Sequence, residues 1–253
     1  MSNVLFLSVF TEGIGDMALN HLLSLKAAGI TNTLSFCLSQ TVVDFLNAKG
    51  FTSRLLELTN GLNKEFSFVE EGFNDFSYMR YKLISELLSD YDYVWYMDVD
   101  TVVMRNPLEI FENMGAKANA DVLFQDDLHM PCTGCMLVKN NGSAMNFVKS
   151  MWDGRSSEVN DQMHLQNRIV RKDTTLDLKI YILSIYEFVP GWALFDETFL
   201  VKLNGLTNDL RKSFHEKLKD NPPRMPIFVH ANFMLGSETK RQALKSRRLW
   251  FVA

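Results

Sequence analysis

The chain has 253 residues, of which 26 are basic, 30 acidic and 47% hydrophobic, for a formal charge of −4. This composition can bury a substantial core and does not favour a nucleic-acid partner. No apolar run reaches the roughly 18 residues of a membrane span, and the opening residues lack the basic start of a signal peptide.

Residues 4–10 form an apolar run of strand length, followed by a turn-rich loop through Thr11, Gly13 and Gly15. An amphipathic helix follows over 17–28, stopped at Gly29. A second strand is expected over 33–38 and a helix over 41–49, closed by Gly50. Strand and helix in alternation imply parallel strands joined by helical crossovers. After a less regular stretch (58–74), helical spacing returns over 77–88. Residues 93–97 are apolar throughout and read as a central strand covered on both sides. Further strands are expected at 120–125, 136–139 and 179–183, with helices at 143–152, 157–170 and 208–218, the last ended by Asn221-Pro-Pro. A short late strand at 227–230 precedes a basic C-terminal segment. No linker or repeat interrupts the pattern, so one α/β domain over 1–253 is expected.

Cys37, Cys132 and Cys135 do not make a disulfide framework, and no further ligands stand near Cys132-Thr-Gly-Cys135 to complete a zinc site. They read as buried thiols, which suits a reducing cytoplasm.

The central strand ends on Asp98-Val99-Asp100. In an extended chain the two carboxylates share a face, roughly 6.6 Å apart at ~3.3 Å per residue. Buried carboxylates at a strand's carboxyl end call for a cation or hydrogen-bond donors, and a hard divalent ion prefers such oxygens. The alternative is a strand that reaches solvent at Asp98, with Asp100 capping the turn before Asn106-Pro107. The same Asp-x-Asp also fits a haloacid-dehalogenase-type phosphatase, with Asp98 as nucleophile. Two strand-helix units precede it, which argues against a motif that usually opens its domain. Near the C-terminus, His230 ends an apolar strand, with Gly236 six and Lys240 ten residues on. An imidazole can complete a metal site begun by carboxylates, and a lysine can meet a phosphate.

Asp98-x-Asp100 before Asn106-Pro107, then Asn160-Asp161-Gln162, then His230-x-Asn232…Gly236…Lys240, resembles the nucleotide-diphospho-sugar transferases. The resemblance is closest to family 77 glycosyltransferases and more distant to family 8. It also takes in Asn20, Tyr81-Lys82-Leu83, Thr133-Gly134, Phe147 and Trp152. It implies a GT-A fold, a mixed, mostly parallel central sheet flanked by helices. It also implies Mn²⁺ or Mg²⁺ as cofactor, a UDP-sugar donor and retaining transfer to a saccharide or glycoprotein acceptor. By the same resemblance Asp98, Asp100 and His230 hold the metal, with Asp98 also on the donor. Thr11, Lys82 and, as a second candidate, Arg80 lie near the nucleotide, and Gly236 and Lys240 face the diphosphate. Asp161 and Gln162 are the catalytic candidates beside the transferred sugar. Trp192 is either part of an acceptor wall or a core side chain. Relatives often carry an Asp where this chain has Cys37-Leu38-Ser39, which leaves the choice of base open. A nucleotide-sugar-binding protein without turnover is the remaining alternative.

Overall fold

The computed structural model describes residues 2–11, 13–56, 72–112, 115–128, 130–170, 177–201, 205–220 and 225–252. In chain order the elements are β1 (Val4–Phe10), α1 (Gly15–Ala27), β2 (Thr33–Cys37), α2 (Gln40–Ala48), β3 (Ser53–Leu55), α3 (Phe73–Leu87), β4 (Tyr93–Met97) and β5 (Thr101–Val103). They continue with β6 (Val122–Asp127), β7 (Met130–Lys139), α4 (Gly142–Asp153), α5 (Asp161–Val170), β8 (Ile180–Leu183), β9 (Phe188–Pro190), α6 (Gly191–Leu194), α7 (Gly205–Asp220), β10 (Phe228–His230) and α8 (Ser237–Ser246).

Among the described residues, seven strands form a sheet in the order β3-β2-β1-β4-β7-β6-β8. Every strand in it runs parallel except β7, which is antiparallel to both neighbours. The expected α/β architecture, mixed and mostly parallel, is the one observed. Alternation along the central strands sorts side chains to two faces. Phe6, Trp95, Met97 and Leu137 join α1 and α2 in one core, whereas Leu7, Val94, Tyr96 and Met136 join α3, α4 and α5 in another. Both faces of β1 and β4 are therefore dry, as their unbroken apolar runs require.

A second sheet of three strands, β5-β10-β9, carries its own core with Trp192, Phe195, Phe214 and Leu244. Its strands β5 and β9 are three residues each, too short to show a period in the sequence. Strand β7 starts at Met130, six residues before the expected 136, so Cys132-Thr-Gly-Cys135 lies within it. The register of β6 on β7 jumps there: Phe124 pairs with Met136, but the next residue, Gln125, pairs with Cys132. Thr133, Gly134 and Cys135 form a bulge, the device that re-aims side chains beside a site.

Helix α5 begins at Asp161, not at the expected 157, because Asn160 supplies the cap by accepting from the Met163 amide at 2.9 Å. The Pro-Pro stop expected after α7 lies outside the described residues, as does most of the stretch 58–74. Asn20, inside α1, donates to the Leu249 carbonyl at 3.1 Å and accepts from the Phe251 amide at 2.5 Å, tying the tail to that helix. The three cysteines are buried free thiols.

Candidate functional site

Strand β4 ends at Met97, and the chain turns at once. The Asp98 amide donates to the Gly134 carbonyl at 2.8 Å. The Asp98 carbonyl accepts from the Thr101 amide at 3.1 Å and the Thr101 hydroxyl at 2.7 Å. Residues 98–101 are thus a β-turn that carries the chain from the large sheet into β5 of the small one. The two carboxylates were expected on one face of an extended strand; the structure brings them together by folding the chain between them. Buried His21 secures the exit of the turn, donating from Nδ1 to the Thr101 carbonyl and accepting at Nε2 from Ser8, both at 2.9 Å. Burial lowers its pKa to about 4, so this imidazole is neutral.

The small sheet returns His230 to the same place. His230 ends β10, opposite Thr101 in the antiparallel β5-β10 register, and its Nε2 lies 3.2 Å from Asp100 Oδ1. Ligand atoms of Asp98, Asp100 and His230 all lie within 4.8 Å of one another, which makes the trio a candidate metal site. Lys240 stands one turn into α8 and brings its ammonium to 2.8 Å from Asp100 Oδ2. That contact is a short ion pair, and a carboxylate oxygen has a second lone pair, so the buried Oδ2 can still accept from a cation. Burial alone would favour a neutral acid, but Lys240 and His230 hold Asp100 well below the usual carboxylate range. Burial would likewise neutralise His230, and Asp100 overrides it and raises the imidazole pKa.

A buried carboxylate, a partly exposed one and an imidazole nitrogen make an oxygen-rich donor set that fits Mn²⁺ or Mg²⁺. Gly134 makes the space for it. A Cβ at this position would fall 2.3 Å from Asp98 Oδ2 and 2.9 Å from His230 Cε1. The bulge in β7 therefore needs a glycine.

On the α3 side, Arg80 is the hinge of a charge network. Its guanidinium lies over the Tyr96 ring at 4.7 Å, 3.6 Å from Asp98 Oδ1 and 3.4 Å from Asp161 Oδ2. Tyr96 donates its hydroxyl to Asp98 Oδ1 at 2.9 Å. Asp161, the first residue of α5, is buried; desolvation raises its pKa against the pull of Arg80. Gln162 beside it donates to Asp127 Oδ2 at 2.5 Å and accepts from the bulge amide of Thr133 at 3.3 Å. Thr11 follows β1 at the same carboxyl end of the sheet and is buried.

Gly236 precedes α8 with φ +79°, a conformation that suits glycine, and the first amides of α8 open beside Lys240. Such a helix start can receive phosphate oxygens.

Two sequence candidates are placed elsewhere. Lys82 follows Arg80 by two residues, roughly 200° round the helix. Its ammonium faces Glu86 at 4.0 Å and the Trp152 ring at 5.8 Å, away from the carboxylates. Trp192 is 2% exposed and sits edge-on to Phe214, so it is a core side chain with no open face for a sugar. Residues the sequence did not single out for roles here are Tyr96, Gln125, Asp127 and Gly134. Of these, Gly134 had a signal in the sequence, as part of Thr133-Gly134 in the family resemblance, but without a role.

The model of the nucleotide-diphospho-sugar transferase family matches residues 28–244. No curated protein matches the sequence. Among solved structures, a glycosyltransferase involved in glycosylation of the major capsid of PBCV-1 is 14% identical with a TM-score of 0.52, covering 95% of this chain and 98% of that one. The glycosyltransferase GlyE of Streptococcus pneumoniae is 12% identical with a TM-score of 0.57, covering all of this chain and 61% of its own. The galactosyltransferase LgtC, solved with donor and acceptor sugar analogues, is 14% identical with a TM-score of 0.52, covering 97% and 93%. At these identities the structures establish a shared GT-A fold. The family match, which spans most of the chain, sets aside the phosphatase alternative with Asp98 as nucleophile. The chain belongs to the nucleotide-diphospho-sugar transferase family and is a glycosyltransferase.

Proposed function

We propose that this glycosyltransferase is metal-dependent, uses a UDP-sugar, and transfers the sugar with retention to a saccharide or glycoprotein acceptor in a reducing, cytoplasmic setting. The observation that carries the reading is the convergence of Asp98, Asp100 and His230 with Lys240 at the carboxyl end of the sheet. Mn²⁺ or Mg²⁺ on those three ligands would neutralise charge on the leaving diphosphate. Lys240 and the amides at the start of α8 add fixed positive potential beside that group. Thr11, at the end of β1, borders the nucleotide. Arg80 holds Asp98 and Asp161 apart at fixed distances, so the metal ligand and the sugar-facing carboxylate keep one spacing. Asp161 orients donor hydroxyls, and Gln162, locked between Asp127 and Thr133, lines the sugar.

Retention is best served by front-face attack. The acceptor hydroxyl bonds to the anomeric carbon on the side that the diphosphate leaves, and its proton passes to a leaving phosphate oxygen. A kinetically competent glycosyl adduct on Asp161 would replace that route by double displacement.

The test is incubation with Mn²⁺ and a panel of UDP-sugars, followed by UDP release and by the anomeric configuration of any product. Expected is metal-dependent UDP affinity that Asp98→Asn or Asp100→Asn abolishes with the fold intact. Tight UDP binding without release or transfer, across donors and acceptors, assigns a binding protein instead. Metal-independent UDP binding in the two variants overturns the metal site.

A further inference from the structure

The ring nitrogen that His230 offers to the candidate metal site is fixed by a residue outside that site. Gln125 is fully buried and stands where the β6 register shifts. Its Nε2 donates to the Phe188 carbonyl at 3.2 Å, and its Oε1 lies 2.7 Å from His230 Nδ1. A main-chain carbonyl only accepts, so the end of the amide facing Phe188 must be the NH₂ group. The other end, facing His230, must then be the carbonyl oxygen, which also only accepts. Nδ1 must therefore carry a proton, and Nε2, the atom 3.2 Å from Asp100, is the nitrogen whose lone pair a cation bound by that carboxylate would take.

We propose that Gln125 is the positioning residue that fixes the His230 tautomer and so presents Nε2 as the ligand atom for a divalent cation. The order of constraint runs from the Phe188 carbonyl, through the amide of Gln125, to the imidazole. Phe188 pairs with Phe228 in the small sheet, two residues before His230, so the strand that carries the ligand also neighbours the group that orients it. The bulge serves two ends: on β7 it turns Gly134 under Asp98, and on β6 it turns Gln125 under His230.

The inference rests on the metal site proposed above, and its test separates the two. Nitrogen-15 NMR of the histidines, recorded above the pH at which His230 loses its charge, reads the tautomer directly. With diamagnetic Mg²⁺ added, the wild-type protein should show His230 protonated at Nδ1 and bare at Nε2. A bare Nδ1 in the wild type, with or without Mg²⁺, overturns the proposal, and this measurement needs no variant. Gln125→Met keeps the volume and removes the acceptor. It should let the proton move to Nε2 and weaken Mn²⁺ binding, followed by electron paramagnetic resonance, roughly 10–100-fold. Gln125→Glu keeps an acceptor facing Nδ1 and should retain the tautomer. If the wild type binds Mn²⁺ and Gln125→Met binds it equally well, Gln125 has no positioning role. If the wild type binds no Mn²⁺, the metal reading fails, and the wild-type tautomer still decides whether Gln125 orients the ring.

Discussion

Gly134 stands under Asp98 so closely that a single added methyl would lie 2.3 Å from the carboxylate. The neighbour cannot give way freely, because Asp98 Oδ1 is held by Tyr96 and its amide by the Gly134 carbonyl itself. Gly134→Ala should therefore displace the Asp98 side chain and leave the strands paired. Displacements near 1 Å can lower activity on the order of 10²-fold. Sugar transfer and Mn²⁺ affinity should both fall while circular dichroism is unchanged. Wild-type activity in the alanine variant would show that Asp98 can move without consequence.

Arg80 is a buried guanidinium with two carboxylate partners, and removing it strands both. Arg80→Met should cost about 3–5 kcal/mol, a fall in Tm on the order of 10 °C for a chain of this size. Desolvation already raises the Asp161 pKa, and loss of Arg80 would raise it further. The deficit should therefore shrink as pH falls and Asp161 takes up a proton. Melting curves of wild type and variant at mildly acid and alkaline pH test this, and a deficit that grows in acid would contradict it. Arg80→Lys should recover little, since one ammonium cannot span both carboxylates.

His230 supplies a pH dependence of defined sign. Asp100 raises its folded pKa above the ordinary value near 6.5. The charged ring stabilises the metal-free protein fully below about pH 6.5, and that contribution is lost as pH rises through the raised folded value. A coordinating imidazole must be neutral, so metal affinity should run the opposite way. Mn²⁺ binding should strengthen by up to about tenfold per pH unit until the raised value is passed. Titrations from about pH 6 to pH 9 should show this slope in wild type and a flatter one in His230→Gln.

Arg241 ties α8 to α1. Its Nε and Nη2 meet the two oxygens of Asp16 at 2.7 and 3.0 Å, and Nη1 meets Glu238. The pair is partly exposed, so each of Asp16→Ala and Arg241→Ala should cost under about 1 kcal/mol of stability. The larger effect should be on the donor KM, because the start of α8, which is proposed to face the diphosphate, would lose its fixed place. A double-mutant cycle on KM should show coupling between the two positions. Additive effects would mean that the clasp does not set the position of α8.

Much of this was legible in the sequence because it lay in local pattern. The unbroken run Tyr93 to Met97 marked a central strand, and carboxylates directly after it marked the open end of a sheet. His230 was found for the same reason, at the end of a short apolar run. What the sequence could not show was set by the third dimension. Asp98 and Asp100 looked like neighbours on an extended strand, because nothing local announces that the Asp98 carbonyl bonds Thr101. Lys82 was placed near the nucleotide by the family resemblance, with Arg80 second, although helical geometry turns the two to opposite sides and only Arg80 reaches the carboxylates. Trp192 carries the chemistry of a sugar platform, and only packing on Phe214 shows that it is interior. Gln125 and Gly134 act through a register jump between two strands, which is a property of the pairing and not of either strand.

The turn at 98–101 joins two sheets, and the three candidate ligands are divided across it. Asp98 hangs from the large sheet, whereas His230 belongs to the central strand of the small one and Asp100 to the step between them. An ion bound there would be a rivet through both plates, and its binding energy would oppose their separation as well as hold a donor. At a free concentration of 100 times Kd, this linkage is worth about 2.7 kcal/mol. Hydrogen exchange in β5, β9 and β10 should slow most on adding Mn²⁺, so that the small sheet reports occupancy of a site at its edge.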